Sequence, residues 1–489
     1  MGEFSHSFDA TILRAYDIRG VVGASLSVAD AYAIGVCFAH HLHGHVNTPE
    51  IKVAVGRDGR LSSPELADGL IRGLVDGGAQ VLDLGQVPTP LVYFADRTLD
   101  TDGAIQVTGS HNPPDHNGFK LVADHAPFFG EAITKLGQLA DKGVPLGKKG
   151  SHQHIDIADQ YYASLWAYVR GDKNGGKRGD NSKNILGASK NSIVWDCGNG
   201  VVGPTLEALL TGVASQQQHN NHHVMCAEVD GTFPNHHPDP TDPKTLEMLR
   251  EGMAKHNASL GIGFDGDGDR IGLVDSKGRH VVGDVITAYL AQGVLSHHPG
   301  APIIFDVKSS LACMEAVART GGKPQLWKTG RSHMQSRLME VGAPLAGEMS
   351  GHIFIASAGG YGYDDALLAA LAILRQQAES GVSISDFIDG LPSMVTLPET
   401  RHAWEDKDKF AFMDAVLETT RTHLPDAASL IDIDGVRVNH PDGWWLLRAS
   451  NTGAELVSRC EGRNQEAADR MHTELQRYMQ LAGEARKKP

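Results

Sequence analysis

Thr108-Gly-Ser-His-Asn-Pro-Pro-Asp-His-Asn-Gly-Phe-Lys120 decides how the rest of the chain is read. The apolar run before it, Gly103-Ala-Ile-Gln-Val107, has the composition of a buried strand. The run then breaks into Gly109, two prolines and Gly118, so the segment is a loop held at a strand end. Ser110 sits at the top of that loop, flanked by His111 and Asn112, with Lys120 just beyond. A hydroxyl in this setting is a candidate nucleophile or phosphate carrier.

Upstream, Leu13-Arg-Ala-Tyr-Asp-Ile-Arg-Gly20 places Tyr16 and Arg19 beside a glycine. Ile51-Lys-Val-Ala-Val55 reads as a first strand and Gln80-Val-Leu-Asp-Leu-Gly85 as a second, with a helix opening at Ser63-Pro64 between them. That order recurs. Ser192-Ile-Val-Trp-Asp196, His223-Val-Met-Cys-Ala-Glu-Val229 and Leu260-Gly-Ile-Gly-Phe264 make a second round, which opens into Asp265-Gly-Asp-Gly-Asp-Arg270. Pro302-Ile-Ile-Phe-Asp-Val-Lys308, Gln325-Leu-Trp-Lys-Thr-Gly330 and Ala343-Pro-Leu-Ala-Gly-Glu-Met-Ser-Gly-His352 make a third. The expected fold is α/β: three related α/β domains plus a C-terminal α+β domain around a central cleft. Each α/β domain carries one polar loop after its third strand, and in open sheets ligands bind outside such ends. The expected domains are 1–153, 154–279, 280–390 and 391–489. Lys142 to Gly150 reads as a domain edge, and Gly171 to Asp180 as an exposed loop inside the second domain.

Asp265, Asp267 and Asp269 alternate with glycines, so three hard oxygen donors can converge on Mg2+ or Ca2+. A calcium EF-hand loop needs glycine at its sixth position and glutamate at its twelfth; this chain has Arg270 and Ser276 there. Arg270 beside the carboxylates suits phosphate oxygens as a fork. Gly347-Glu-Met-Ser-Gly-His352 offers a carboxylate, a hydroxyl and an imidazole, the groups that bond sugar hydroxyls and relay a proton. Arg448-Ala-Ser-Asn-Thr-Gly453, at a strand end in the tail domain, has a phosphate-site composition. Lys308 and Arg331 add positive charge at loop positions.

The 489 residues are too many for one core. A net charge of −15 argues against a general nucleic-acid binder, but a local basic cluster can still take an anionic substrate. The five cysteines are scattered and form no CxxC, which fits a reducing cytoplasm and neither a disulfide framework nor a zinc site. No signal peptide is read at the N-terminus, and no run approaches a membrane span. The histidines of His40-His-Leu-His-Gly-His45 read as surface residues in an irregular polar stretch.

Taken together and in this order, the four loops resemble the α-D-phosphohexomutase superfamily, and within it the bacterial phosphomannomutase/phosphoglucomutase group. The pair Thr-Gly-Ser-His-Asn-Pro with Asn-Gly-Phe-Lys and Asp-Gly-Asp-Gly-Asp-Arg carries most of that resemblance. It implies interconversion of hexose 1-phosphate and hexose 6-phosphate, of mannose and/or glucose, through a phosphoserine and a bisphosphorylated sugar. By position, Ser110 is the implied phosphoserine and, with Asp265, Asp267 and Asp269, a ligand of one Mg2+. Arg19, Lys120 and Arg270 stabilise the moving phosphoryl group, and Lys120 and His352 are the implied proton carriers. His111 and Asn112 frame the serine, and Glu348 and Ser350 take sugar hydroxyls. Arg448, Ser450, Asn451 and Thr452 hold the unreacting phosphate, while Tyr16, Lys308 and Arg331 close the cleft. One departure is visible: the group commonly has histidine after Lys-Thr-Gly, where this chain has Arg331, with His333 two places on. Glucose 1,6-bisphosphate or mannose 1,6-bisphosphate is the implied activator, a phosphosugar the substrate, and a cytoplasmic monomer or weak dimer the expected assembly. Phosphoglucosamine mutase and a phosphosugar phosphatase are the alternatives.

Overall fold

Lys52–Arg57 forms the centre of the first sheet, with Gln80–Gln86 parallel on one side and Gly103–Val107 parallel on the other. His116–Ala123 then returns antiparallel beside Gly103–Val107. We describe this order in a computed structural model covering residues 2–45, 50–170, 192–211, 221–450 and 453–486. The second sheet repeats it: Ser192–Asp196 lies between His222–Met225 and Ala258–Phe264, both parallel, and Ile271–Asp275 returns antiparallel. The third does so again with Pro302–Asp306, Lys323–Trp327, Leu345–Gly347 and Ile353–Ile355. The sequence pattern ends each unit at its third strand; the structure adds a fourth. Each polar loop is therefore the turn of a hairpin, which pins it at both ends to the same sheet.

All five residues of Gly103–Val107 are buried, as its apolar run requires. Its one polar member, Gln106, donates through Nε2 to the Val87 carbonyl at 2.9 Å. Two edges differ from expectation. Val144–Pro145 pairs with Glu3–Phe4, and Ser151–His154 extends the first sheet beside Gln80–Gln86. Lys142 to Gly150 thus lies inside the first sheet's unit: a Cβ on Gly150 would sit 1.9 Å from the Ala79 carbonyl oxygen, so only glycine lets the chain pass. His280–Val281 likewise completes the second sheet, just past residue 279. His40 to His45 are the last turns of the helix Val28–His45, which the polar composition had hidden. The run from Gly171 to Asp180 lies outside the described residues.

The tail folds as an antiparallel sheet, with Gly443–Ala449 and Glu455–Gly462 at its centre and the helices Lys409–His423 and Gln465–Ala485 against it. It has its own core around Trp445, Leu475 and Tyr478. By contrast, one buried cluster runs through the other three units, from Phe94 through Trp195 and Phe264 to Ile303 and Leu371. Among the described residues no helix is long and apolar enough to cross a membrane.

Helix Ala366–Ser380 is buried from Ala366 to Leu374, so its apolar face fills the centre of that cluster. Asp365 caps it by accepting from the Leu368 amide at 2.9 Å, and also accepts from the Tyr161 hydroxyl at 2.8 Å. Burial pushes the Asp365 carboxyl up from 3.8 to about 7. The folded state therefore binds the extra proton between those values, and stability falls as pH rises from 3.8 toward 7. At about 1.4 kcal/mol per pH unit the loss is at most about 4 kcal/mol. Asp365→Asn keeps a capping side chain and removes the charge. It is expected to raise the thermal midpoint above wild type at pH 8 but not at pH 4, a difference that melting curves at both pH values would show.

Candidate active site

The serine loop is shaped by Asp58 and Arg60, at the end of the first strand. Asp58 Oδ2 accepts from Thr108 Oγ1 at 2.8 Å and from the Gly109 amide at 3.0 Å. Arg60 is fully buried and donates to the carbonyls of Ser110 and Asn112 at 2.7 and 2.6 Å. A Cβ on Gly109 would lie 2.1 Å from Arg60 Nε, so glycine is what lets the guanidinium sit under the loop. Ser110 is held at φ +50°, a left-handed conformation that serine rarely adopts. Its hydroxyl donates to Asp265 Oδ2 at 2.9 Å and lies 3.3 Å from His111 Nδ1. Arg19 donates to the Thr108 carbonyl at 2.6 Å and pairs with Asp17.

The acidic loop folds around its first carboxylate. Asp265 Oδ1 accepts from the amides of Gly268, Asp269 and Arg270 at 3.0 to 3.1 Å. Asp265, Asp267 and Asp269 are fully buried. Lys120 Nζ bridges the other two, 2.6 Å from Asp267 Oδ2 and in contact with Asp269 Oδ2. Thr89, from the first unit, donates to Asp267 Oδ2 at 2.5 Å. Burial works against both charges of the Lys120–Asp267 pair, yet the pair's own attraction raises the lysine and lowers the aspartate. Burial together with Asp267 and Asp269 drives the Asp265 carboxyl well upward. Asp267 Oδ1 and Asp269 Oδ1 have no hydrogen-bond partner although buried. Excess negative charge and two orphaned carboxylate oxygens, with one ligand atom of each aspartate within 4.8 Å of the others, fit a divalent metal ion.

The third loop comes to meet the second. Arg270 Nε donates to His352 Nε2 at 3.0 Å, and His352 Nδ1 lies 2.9 Å from Asp364 Oδ2 and 3.8 Å from Asp269 Oδ1. Glu348 is buried, which pushes its carboxyl upward, and it accepts from the Gly330 amide at 2.5 Å. Arg331 takes both oxygens of Asp364, at 2.9 and 3.0 Å, and stacks 4.8 Å over the Tyr93 ring. His333 packs edge-on against Tyr16, with ring centroids 5.5 Å apart.

These loops line one cleft enclosing about 370 Å3. Tyr16, Arg19, Ser110, His111, Asn112 and Lys120 come from the first unit, and Arg270 from the second. Lys308, Arg331, Glu348, Ser350 and His352 come from the third, and Arg401 from the tail. The aspartates lie beneath this surface. Arg448 pairs with Asp434 at 3.2 Å, and Ser450 Oγ accepts from the Gly453 amide at 3.1 Å. Asn451 and Thr452 lie outside the described residues.

The sequence matches the family models described as "Phosphoglucomutase/phosphomannomutase, alpha/beta/alpha" domain I over residues 10–143, domain II over 179–278 and domain III over 282–394. The same family's C-terminal domain matches residues 399–477. The chain belongs to the phosphoglucomutase/phosphomannomutase family. The phosphomannomutase/phosphoglucomutase of Pseudomonas aeruginosa is 39% identical over 464 residues, 95% of this chain and 94% of that protein. A phosphoglucomutase of Neisseria meningitidis is 37% identical over 467 residues, 95% of each. The crystal structure of a family protein from Burkholderia thailandensis aligns with a TM-score of 0.84 at 36% identity, covering 97% of this chain and 98% of that one.

In this family member, sequence reasoning passed over Asp58, Arg60, Thr89 and Asp364, because each works on another functional group rather than inside a motif. Arg57-Asp-Gly-Arg60, a charged run at a strand end, was the available signal for two of them. Lys120→Met would leave Asp267 and Asp269 buried without their bridging cation, a loss of about 3–5 kcal/mol by analogy with broken buried pairs. The variant is expected to melt several degrees below wild type in EDTA and to recover part of the difference in Mg2+. A midpoint insensitive to Mg2+ would remove the triad as the metal site.

Proposed function

We propose that this phosphohexomutase interconverts hexose 1-phosphate and hexose 6-phosphate, of mannose and/or glucose, through phosphorylated Ser110 and a bisphosphorylated sugar. The observation that carries this reading is the 2.9 Å contact between the strained Ser110 hydroxyl and a buried aspartate triad, at the floor of a basic cleft. Asp265, Asp267, Asp269 and the Ser110 phosphate would hold one Mg2+, which draws charge from the phosphoryl group when bound. Arg19, Lys120 and Arg270 reach the same space and steady the phosphoryl oxygens, so catalysis is positioning and electrostatics.

A sugar hydroxyl oxygen attacks phosphorus, and the bond from phosphorus to Ser110 Oγ breaks. The hydroxyl proton passes to His352 Nε2, the ring nitrogen that accepts from Arg270 Nε at 3.0 Å; His352 then releases it, and the departing Ser110 Oγ takes up one proton in exchange. Lys120, beside Asp267 and Asp269, is the second candidate proton carrier as well as a charge for the phosphoryl oxygens. His111 and Asn112 flank Ser110, and Glu348 and Ser350 bond the sugar hydroxyls. The bisphosphate then turns, and Ser110 takes back the other phosphate. Arg448 and Ser450, with Asn451 and Thr452, grip the phosphate that is not reacting. Tyr16, which donates to the Thr329 carbonyl at 3.1 Å, and Lys308 close the mouth. Arg331 contributes through Asp364, which it holds beside His352.

We assign the domains as 1–153, 154–279, 280–390 and 391–489; the four larger sheets support this division, apart from the edge strands Ser151–His154 and His280–Val281. Glucose 1,6-bisphosphate or mannose 1,6-bisphosphate serves as activator. Five free thiols support a cytoplasmic setting, and we assign a monomer or weak dimer.

Turnover with Mg2+ and a trace of glucose 1,6-bisphosphate is the test. Mannose 1-phosphate, glucose 1-phosphate and glucosamine 1-phosphate are offered in parallel, and 6-phosphate and free phosphate are both followed. Conversion of the first two without phosphate release is expected, with a loss of at least about 1,000-fold in Ser110→Ala. Preference for the amino sugar would assign a phosphoglucosamine mutase; phosphate release alone would assign a phosphatase.

A further inference from the structure

Asp196, Cys226 and His236 lie outside the cleft and take no part in the chemistry above, yet their side chains converge. Asp196 ends the strand Ser192–Asp196, and Cys226 directly follows the neighbouring parallel strand His222–Met225. Adjacent strand ends are where open α/β sheets hold their ligands. His236 arrives from the loop Asn235-His-His-Pro238. One ligand atom of each residue lies within 4.8 Å of the other two. His236 Nε2 is 2.9 Å from Asp196 Oδ2, and its Nδ1 is 2.9 Å from the His237 carbonyl oxygen. Asp196 Oδ1 accepts from the Gly198 amide at 3.0 Å, and Met248 Sδ lies 3.7 Å from Cys226 Sγ.

A nucleophilic triad would place thiol and carboxylate on opposite nitrogens of the ring. Here one nitrogen faces a backbone carbonyl, so the thiol and the carboxylate converge on the other nitrogen together and are not relayed through the ring. Three different donors about one point are instead the arrangement of a metal site. The imidazole's far nitrogen faces a carbonyl and the carboxylate's far oxygen takes an N–H, the outer contacts that orient metal ligands. Asp196 is buried while Cys226 and His236 are half-buried, which leaves an entry path from the surface.

We propose that Asp196, Cys226 and His236 bind a borderline divalent cation, with Zn2+ the best match to one sulfur, one nitrogen and one oxygen donor. Binding takes the proton from Cys226 Sγ, whose thiolate is then the sulfur donor. The ligands stand 30 and 10 residues apart (196 to 226, 226 to 236), so no short cysteine motif announces them. The ion would clamp the loop that backs the acidic turn: Asn199 donates its amide to the Cys226 carbonyl at 2.9 Å, and Val201 donates to the Gly266 carbonyl at 3.2 Å.

The test is a Co2+ titration of the chelator-treated full chain, with millimolar Mg2+ present to occupy the aspartate triad. A thiolate-to-cobalt charge-transfer band saturating at one equivalent is expected, displaced by one equivalent of Zn2+ and absent from Cys226→Ser. His236→Gln provides a second variant, in which the band should be lost or the apparent Kd raised by at least tenfold, while circular dichroism stays that of the wild type. No band in the wild type would overturn the proposal. So would a band that survives Cys226→Ser, which would assign it to another cysteine, or equal affinity in His236→Gln.

Discussion

Three carboxylates cannot be buried within one turn of chain unless positive charge comes with them. Asp265, Asp267 and Asp269 belong to the second unit, but Lys120 and Thr89 from the first unit reach across to them. The Ser110 hydroxyl reaches across as well. The two units are thus locked by the same charges that make the site, and the serine's position follows from that lock. Arg270 passes the constraint onward to His352, and His352 and Arg331 pass it to Asp364, so the third unit is tied in through a chain of polar contacts.

The tail stands outside this lock. Its core is separate, and it docks on the third unit through Val307, Trp444 and Leu446, with Arg437 donating to the Val307 and Ser309 carbonyls at 2.6 and 2.8 Å. Polar contacts, such as Ser310 and Leu311 to Glu461 and Thr329 to Asp434, make up much of this interface, and a polar interface leaves relative movement as the default. That suits the proposed clamp, which would hold one phosphate, release it and receive the other. The net charge of −15 is no obstacle, because the cleft gathers Arg14, Arg19, Lys120, Arg270, Lys308, Arg331 and Arg401.

Much of this was legible in the chain. Buried parallel strands read as short apolar runs, and glycine- and proline-rich breaks mark their loops, so three units and a different tail could be laid out in order. The loop residues could be named because the four loops, taken together and in order, resemble one family, whereas each loop alone has the composition of an ordinary polar turn. The antiparallel fourth strands escaped, since Ile271–Asp275 and Ile353–Ile355 follow their loops without punctuation. The helical end at His40 to His45 escaped because a polar helix surface and a polar loop have similar composition.

Sequence by itself determined the local chemistry: which side chains each loop presents, and the glycines that let those loops turn. Tertiary structure alone decided who answers them. Arg60 under the serine loop, Asp364 behind His352 and the capture of Arg331 by Asp364 are contacts between residues 50, 12 and 33 positions apart along the chain (Arg60 to Ser110, His352 to Asp364, Arg331 to Asp364). No periodicity encodes such pairings, because a buried charge is satisfied by whatever the fold brings within about 3 Å. The same holds for Asp196, Cys226 and His236, which are unremarkable apart and form a ligand set only when two strand ends and a loop meet.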